Sequence, residues 1–205
     1  MSVLSLDSLA DRIRLTKPRA RATTIVAIDG PAGSGKTTLA GRLAARLAAP
    51  VVHMDDLYPG WDGLAEAAAR IAEQVLVPLG EGRPASFRRY DWDRGEYADW
   101  VDVPEAPVLI VEGCGCGSTP GAAYLAMLLW VEAPHDLRMA RGIERDGDGF
   151  RPHWERWAQQ EDALFAAEQT RARADLHIAS GDGPPHDPEL EVVIASALGD
   201  TDDLR

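Results

Sequence analysis

Cysteines and long apolar runs are scarce in this sequence of 205 residues, and each scarcity excludes a class of protein. The two cysteines, Cys114 and Cys116, are one residue apart and do not indicate a disulfide framework. We therefore expect a reducing, cytoplasmic location. No apolar stretch approaches the ~18 residues of a membrane span. Residues 1–15 lack the basic start and continuous apolar core of a signal peptide, so we expect no membrane partner.

Positive charge is also in short supply. Lys and Arg total 21 against 33 for Asp and Glu, which leaves a formal net charge of -12. Proteins that bind nucleic acid usually carry a basic stripe, so we expect no nucleic-acid partner. An acidic chain still binds a phosphorylated small molecule if its basic residues converge on one cleft. The length fits one domain with a substantial core.

The strongest signal is Gly30-Pro31-Ala32-Gly33-Ser34-Gly35-Lys36-Thr37, which matches the P-loop pattern. It lies between a β-branched apolar run and leucines spaced by four, the strand–loop–helix context that the motif requires. Inward-pointing N–H groups and the helix N-terminus would bind two phosphates. We expect ATP (or GTP) with Mg²⁺ here, with Lys36 exposed in the cradle and the Thr37 hydroxyl on the metal. The predicted nucleotide contacts are Gly30, Ala32, Gly33, Ser34, Gly35, Lys36, Thr37 and Thr38.

Short apolar strands alternate with helical segments along the chain, a pattern that is typical of a parallel α/β sheet. It predicts a three-layer P-loop NTPase fold in which helices flank a five-stranded parallel sheet. The strands are expected at 23–28, 50–54, 107–113, 126–131 and 174–178. Helices are expected at 3–15, after the P-loop, and at 64–79, 134–145, 152–173 and 190–198, with Pro78 and Gly80 ending the one at 64–79.

We interpret residues 1–205 as a single domain with a small lid and an inserted binding lobe. About 1–20 would form an N-terminal helix, about 145–152 the lid, and about 199–205 a mobile tail. Residues 82–102 gather arginines and aromatic side chains in a turn-rich stretch. We interpret them as the lobe, because loops on a rigid scaffold often carry function. A solvated loop with a few anchoring rings is the alternative.

Two acids are predicted at the carboxyl ends of strands, where open α/β sheets bind ligands. Asp55 follows the strand at 50–54, and Glu112 closes the strand at 107–113. Phosphoryl transfer to a hydroxyl requires a phosphate cradle, a metal and an acid that orients or accepts the hydroxyl proton. Both acids are therefore candidates for this chemistry. Asp55 and Asp56 are alternatively an N-cap pair before a helix, and Glu112 a plain turn acid.

The chain resembles the uridine kinase-like branch of P-loop nucleoside kinases. The resemblance covers most of residues 23–179, in the family's order. It rests on residues 28–38, Met54-Asp55-Asp56-Leu57-Tyr58, Tyr90-Asp91-Trp92, Val108-Leu109-Ile110-Val111-Glu112-Gly113 and Arg138-x-x-Arg141-x-x-x-Arg145-Asp146.

This resemblance implies an ATP-dependent kinase that phosphorylates a hydroxyl of a nucleoside-like small molecule. It implies that Asp55 acts on that hydroxyl, that Glu112 helps to hold Mg²⁺, and that Arg145 contacts the transferring phosphates. The expected catalytic residues are Lys36, Asp55 and Arg145, the metal ligands Thr37, Glu112 and Asp55, and a further nucleotide contact Arg141. The expected acceptor contacts, from the match and from their position beyond the strand ends, are Asp55, Tyr58, Arg89, Tyr90, Asp91 and Trp92.

Two departures from the family leave the acceptor open. Residues 59–63 read Pro-Gly-Trp-Asp-Gly in place of a His/Pro/Asp-type segment, and the lid has one arginine where the family has Arg-Gly-Arg. A sugar, a sugar acid or a pantothenate-like compound is an alternative acceptor. The P-loop also looks like that of cytidylate kinases. A P-loop regulator that hydrolyses nucleotide to change shape is a third alternative, and a homo-oligomer is compatible with the sequence.

Three smaller features are interpreted as structural. Cys114-Gly115-Cys116 is interpreted as a tight glycine turn, because a structural zinc site needs four ligands. Trp154 and Trp157, three residues apart on a helix, are interpreted as packing residues. His53 is interpreted as a half-buried strand residue.

Overall fold

A central β-sheet with helices on both faces is formed by residues 1–147, 151–181 and 183–197, which the computed structural model describes apart from the side chains at 146 and 197. The predicted tail at 199–205 and part of the predicted lid lie outside these residues. The strands are β1 (Ser2–Ser5), β2 (Thr24–Asp29), β3 (Val51–His53), β4 (Ser86–Asp91), β5 (Glu96–Asp102), β6 (Val108–Glu112), β7 (Leu125–Glu132), β8 (Leu176–Ala179) and β9 (Glu191–Ala197).

Helices connect most of these strands. They are α1 (Leu6–Leu15), α2 (Lys36–Leu47), α3 (Leu64–Ile71), α4 (Val77–Glu81), α5 (Thr119–Ala122), α6 (His135–Asp146), α7 (Trp154–Glu168) and α8 (Thr170–Arg173). Short 3₁₀ turns occupy Met54–Asp56, Gly60–Asp62 and Arg151–His153, and a π turn occupies Ala72–Leu76. None of the helices in the described ranges is long and apolar enough to cross a membrane.

The sheet has the order β1-β9-β8-β7-β2-β6-β3. Its five strands β3, β6, β2, β7 and β8 are parallel, as predicted. Alternate residues of β2 face opposite sides: Ile25 and Ala27 pack with α3 and its neighbours, whereas Val26 and Ile28 pack against α1 and α2. Because both faces are covered, β2 is buried along its whole length. This three-layer arrangement brings the carboxyl ends of β2, β3 and β6 to one edge.

The sheet has two strands that were not predicted, β1 and β9, which pair antiparallel at one side of it. The helix predicted at 190–198 is wrong, since Glu191–Ala197 is strand β9, which pairs with β8 and β1. Its Val-Val-Ile run favours a strand, where β-branched side chains pack well. The helix predicted at 3–15 begins only at Leu6, because Ser5 caps it by accepting a hydrogen bond from the Ser8 N–H at 3.1 Å.

The helix predicted at 64–79 extends further than its proline and glycine suggested. After the π turn, Pro78 lies in the first turn of α4, where a missing N–H costs little. The helix ends at Glu81, and Gly82 adopts a left-handed conformation there. Neither Pro78 nor Gly80 ends the helix, which is a further correction. The predicted lobe at 82–102 contains an antiparallel hairpin of β4 and β5, separate from the main sheet.

Candidate active site

The P-loop lies between β2 and α2 with glycines in conformations that other residues rarely adopt. Gly30, Gly33 and Gly35 have φ values of 137°, 75° and 100°. A Cβ atom at Gly30 would lie 2.1 Å from the Val131 backbone oxygen, and one at Gly33 would lie 2.2 Å from the Arg138 backbone oxygen. The loop therefore packs directly on neighbouring backbone, which only glycine permits at these positions.

The cradle that this loop forms fits a phosphate chain. Helix α2 begins at Lys36, and its N-cap residue Gly35 supplies no side-chain hydrogen bond to the first turn. The N–H groups of that turn are therefore available to an anion. The Ser34 hydroxyl is buried without a hydrogen-bond partner among the described residues. These groups suit the phosphates of a nucleotide.

The P-loop is tied to the loop after β6 by Asp29, which the sequence analysis did not single out. The Asp29 carboxylate accepts hydrogen bonds from the N–H groups of Gly30 at 2.7 Å, Gly115 at 2.9 Å and Gly117 at 2.8 Å. Burial raises the pKa of Asp29 to about 6, although these bonds act in the opposite direction. The sequence signal that could have identified Asp29 is its position as an acid at the end of an apolar strand. The Cys116 N–H donates to the Gly113 backbone oxygen at 3.2 Å and Gly115 has a φ of 84°, which agrees with the predicted glycine turn.

Lys36 is only 7% exposed, so the expectation that it stands exposed in the cradle is wrong. Its ammonium donates to the Pro31 backbone oxygen at 2.9 Å and lies 3.5 Å from the Cys114 sulfur. Burial alone would lower the pKa of Lys36, but the neighbouring carboxylates of Glu161, Glu112 and Asp29 raise it above its usual value. Lys36 is therefore charged at neutral pH, as phosphate binding requires.

Thr37 and Glu112 form a corner that suits a magnesium ion. The Thr37 hydroxyl lies 3.2 and 3.3 Å from the two carboxylate oxygens of Glu112. Hard oxygen donors of this kind, completed by phosphate oxygens and water, are what Mg²⁺ prefers. No cluster of three or more His, Cys, Asp or Glu side chains occurs in the described ranges, so no all-protein cage is present there.

His53 contacts this corner, which sequence reasoning missed. Its Nδ1 lies 2.6 Å from Glu112 Oε1, and this hydrogen bond is the main cause that raises the pKa of His53. The side chain is 43% exposed, in agreement with a half-buried strand residue. Because β3 and β6 pair His53 directly with Glu112, only the sheet register reveals the contact.

A cavity of about 420 Å³ opens beside the P-loop and brings together all three predicted catalytic residues. Lys36, Thr37, Asp55, Glu112 and Arg145 all line it, together with Tyr58 and Trp92. The remaining lining residues are Ala32, Gly33, Asp56, Trp61, Gly113, Cys114 and Trp157. The volume falls in the usual range for small-molecule sites.

Aromatic side chains form one wall of this cavity. Trp61 lies with its ring centre 5.2 Å from that of Trp92 and 6.2 Å from that of Trp157. Trp157 also contacts Tyr58 edge to face at 4.8 Å. Trp157 is 5% exposed and belongs to the core, in agreement with a packing residue, and it also lines the cavity. Trp154 is buried and packs against His135. Trp61 was noted only as a departure from the family.

Three of the predicted acceptor contacts do not line the cavity. The Asp91 carboxylate accepts hydrogen bonds from the N–H groups of Asp93 and Arg94 at 3.0 Å, which caps the hairpin turn. Tyr90 packs edge to face on Trp92 at 5.6 Å and reaches the cavity only through it. Arg89 lies on the exposed side of β4.

A second cavity of about 520 Å³ continues from the other side of the P-loop. It is lined by Gly35, Thr38 and Arg141, which were predicted to contact the nucleotide, and by residues near the end of β8. Arg141 donates a hydrogen bond to the Ser180 hydroxyl at 3.0 Å. Arg141 and Arg145 therefore lie in different cavities, one at each side of the loop.

Glu161 is the largest omission of the sequence analysis. It is 2% exposed, and its Oε1 accepts hydrogen bonds from the Ala32 N–H at 2.7 Å, Trp157 Nε1 at 2.8 Å and the Cys114 thiol at 3.0 Å. Burial raises the pKa of Cys114, so the thiol stays protonated and donates. The sequence predicts a helix at this position but does not show which of its faces contacts the P-loop, so Glu161 could not be identified from the helical pattern.

Comparisons with known proteins agree with this architecture, although no family profile matches the chain. The structure of a possible uridine kinase from Bacillus stearothermophilus has a TM-score of 0.61 and 20% identity, over 84% of this chain and 96% of that one. A putative fructose transport system kinase from Silicibacter sp. TM1040 has a TM-score of 0.52 and 24% identity, over 83% and 95%.

Two curated proteins are similar in sequence. The bifunctional pantoate ligase/cytidylate kinase of Gloeobacter violaceus is 28% identical over 179 residues, which are 82% of this chain. The cytidylate kinase of Methanococcoides burtonii is 28% identical over 126 residues, or 62% of the chain. The matches cover 33% and 65% of the lengths of those two proteins. With the P-loop and sheet order described above, these similarities establish that the chain has the fold of the P-loop kinases.

Proposed function

We propose that this protein is a kinase that transfers the γ-phosphoryl group of ATP to a hydroxyl of a small, ring-bearing acceptor, with a nucleoside-like molecule favoured. The observation that carries the proposal is the single cavity in which Lys36 and Thr37 of the P-loop face Asp55 and an aromatic wall. A nucleotide-hydrolysing regulator has no need of such an acceptor compartment.

The residues divide the chemistry between them. Asp55 accepts the proton of the acceptor hydroxyl as its oxygen attacks the γ-phosphorus and the bond to the β-phosphate oxygen breaks. Lys36 and Arg145 neutralise the charge on the phosphates. Thr37 and Glu112 would hold Mg²⁺, which supplies further charge neutralisation on the phosphate oxygens when bound. The aromatic wall excludes water and orients the acceptor.

Charge within the cavity favours an acceptor without a phosphate group. Its basic side chains among the described residues are Lys36, on the P-loop, and Arg145, on the helix that packs against Gly33. The wall that follows β3 instead carries Asp55 and Asp56. Two carboxylates beside an acceptor phosphate would repel it.

A phosphate acceptor is nonetheless the second candidate, because both curated relatives are named as cytidylate kinases. A sugar is a third candidate acceptor, because one of the similar structures is named as a putative fructose transport system kinase. The phosphate acceptor receives the phosphoryl group on a phosphate and the other two on a hydroxyl, so a panel of acceptors separates the candidates directly.

The test is ADP formation by the purified chain with Mg-ATP, alone and with cytidine, uridine, fructose or CMP at matched concentrations. A kinase of the proposed type is nearly idle alone and active with a nucleoside, and the product carries a new phosphomonoester. Activity with CMP but not cytidine would establish the second candidate. Equal ADP formation with and without every acceptor would refute a kinase.

A further inference from the structure

Glu161 holds both the P-loop and the acceptor wall through one carboxylate group. Oε1 accepts from the Ala32 N–H of the P-loop and from Nε1 of Trp157, which lines the acceptor cavity. The side chain is almost fully buried. An ionised carboxylate acts only as an acceptor, which suits a group that three donors approach.

The backbone of Ala32 is held from two helices at once. Its N–H is bound by Glu161 on α7, and its carbonyl oxygen accepts a hydrogen bond from Arg138 Nη1 on α6 at 3.2 Å. The same Nη1 lies 3.9 Å from Glu161 Oε2. Because the Ala32 N–H is already used, the phosphate cradle begins at Gly33. A shift of Glu161 would therefore move the loop directly before that cradle.

A second path from Glu161 leads to the phosphate-binding lysine. The Cys114 thiol donates to Glu161 Oε1 at 3.0 Å, and the Lys36 ammonium lies 3.5 Å from the same sulfur. The Cys114 backbone oxygen accepts a hydrogen bond from the Tyr58 hydroxyl at 2.9 Å. Two of the aromatic residues of the wall, Tyr58 and Trp157, are thus each hydrogen-bonded to groups that also contact the P-loop side.

We propose that Glu161 is a positioning residue for phosphoryl transfer, which sets the P-loop at Ala32 and ties it to the acceptor wall at Trp157. Its effect on turnover rests on the proposed function, whereas the link from the P-loop to Trp157 requires only that the protein binds a nucleotide. The two parts are therefore tested separately.

The link is tested by NMR of protein labelled with ¹⁵N-tryptophan, whose six indole signals are few enough to assign by substitution. Trp157→Phe identifies the Trp157 signal. Addition of Mg-ADP should shift this signal in the wild type, and Glu161→Gln should remove most of that shift. Glu155→Gln, the same change at an exposed position of α7, should leave the shift intact.

Calorimetry with Mg-ADP separates the possible failures. If nucleotide binds but the Trp157 signal does not move, or moves equally in Glu161→Gln, the positioning role is overturned while the proposed function stands. If no nucleotide binds, the proposed function fails as well.

Turnover supplies the second test, with the acceptor that the panel identifies. Glu161→Gln should lower kcat on the order of 10²-fold, because displacement of reacting groups by about 1 Å has that effect. The affinity for Mg-ADP should change little, since the Gly33 amide and the amides of the first turn of α2 remain. Glu161→Asp should restore part of kcat. A loss of kcat that matches the fraction of unfolded protein, or an Asp variant no better than Gln, would show a merely structural role.

Discussion

The indole Nε1–H of Trp92 donates a hydrogen bond to the backbone oxygen of Asp55 at 2.9 Å. This contact joins the turn of the β4–β5 hairpin to the segment that follows β3. The Tyr97 hydroxyl adds a second link by donating to the Leu57 backbone oxygen at 3.0 Å. The hairpin is therefore held against the candidate catalytic acid, and the acceptor wall and the acid share one support.

Loss of the P-loop lysine should abolish transfer without unfolding the protein. Lys36→Ala removes a charge that the phosphates require, so we expect kcat/KM to fall on the order of 10³-fold or more. Lys17→Ala is the matched control, because Lys17 is the other lysine of the sequence and is exposed. Turnover and thermal unfolding are measured for both variants. Near-normal turnover of Lys36→Ala would refute its assignment.

Asp55→Asn should reduce turnover far more than nucleotide binding. A positioned acid acts in the transition state, and its contribution is on the order of 10²–10⁴-fold in kcat. Steady-state kinetics and Mg-ADP calorimetry check the two halves of this expectation. Asp56→Asn is the comparison, because Asp56 lines the same cavity. A large effect of Asp56→Asn with a silent Asp55→Asn would assign the catalytic role to Asp56.

The aromatic wall should determine acceptor affinity. Trp92→Ala removes a cavity face, so we expect the acceptor KM to rise about tenfold while the nucleotide KM stays unchanged. Trp100→Ala is the control, because Trp100 lies on the same hairpin and is 59% exposed. Tyr58→Ala should act like Trp92→Ala. If both are silent while Arg89→Ala or Arg88→Ala removes acceptor binding, the acceptor is an anion and the nucleoside proposal fails.

Removal of the Glu112 carboxylate should weaken the response to magnesium. Glu112→Gln leaves the Thr37 hydroxyl beside a neutral amide, so the Mg²⁺ concentration for half-maximal activity should rise on the order of tenfold. Glu105→Gln, an exposed acid elsewhere, should show the wild-type response. Titration of Mg²⁺ at saturating nucleotide provides the measurement. Identical titrations for all three proteins would exclude Glu112 as a ligand.

Asp29 should make part of the stability depend on pH. Its pKa is raised from 3.8 to about 6 by burial, so the folded state binds the proton more tightly than the unfolded state. The stability that Asp29 confers is therefore greatest below 3.8 and falls as the pH rises towards 6, by about 3 kcal/mol in total.

The effect is measured by urea unfolding of the wild type and of Asp29→Asn between about pH 4 and 7, a range that spans the raised pKa. The comparison isolates Asp29 because the other acids are common to both proteins. The wild type should lose stability relative to the variant as the pH rises. A difference between the two proteins that does not change with pH would contradict the raised pKa.

Local patterns predicted much of the fold because each involves residues close together in sequence. The P-loop needs glycines at fixed spacing before a helix, and the five parallel strands are short apolar runs between turns. The segment at 190–198 was predicted as a helix, which is wrong. Glu191–Ala197 forms a strand because β8 and β1 lie beside it, and a run of seven residues does not reveal its neighbours.

The sequence by itself determined the phosphate cradle, the parallel sheet and the acids Asp55 and Glu112, since strand order and motif spacing bring these to one edge. Only the tertiary structure decided which side chains complete the cavity. His53 meets Glu112 through the register of β3 on β6, and Glu161 meets Ala32 across 129 positions of sequence. Such contacts depend on how helices and strands pack, and side chains at that distance leave no local pattern.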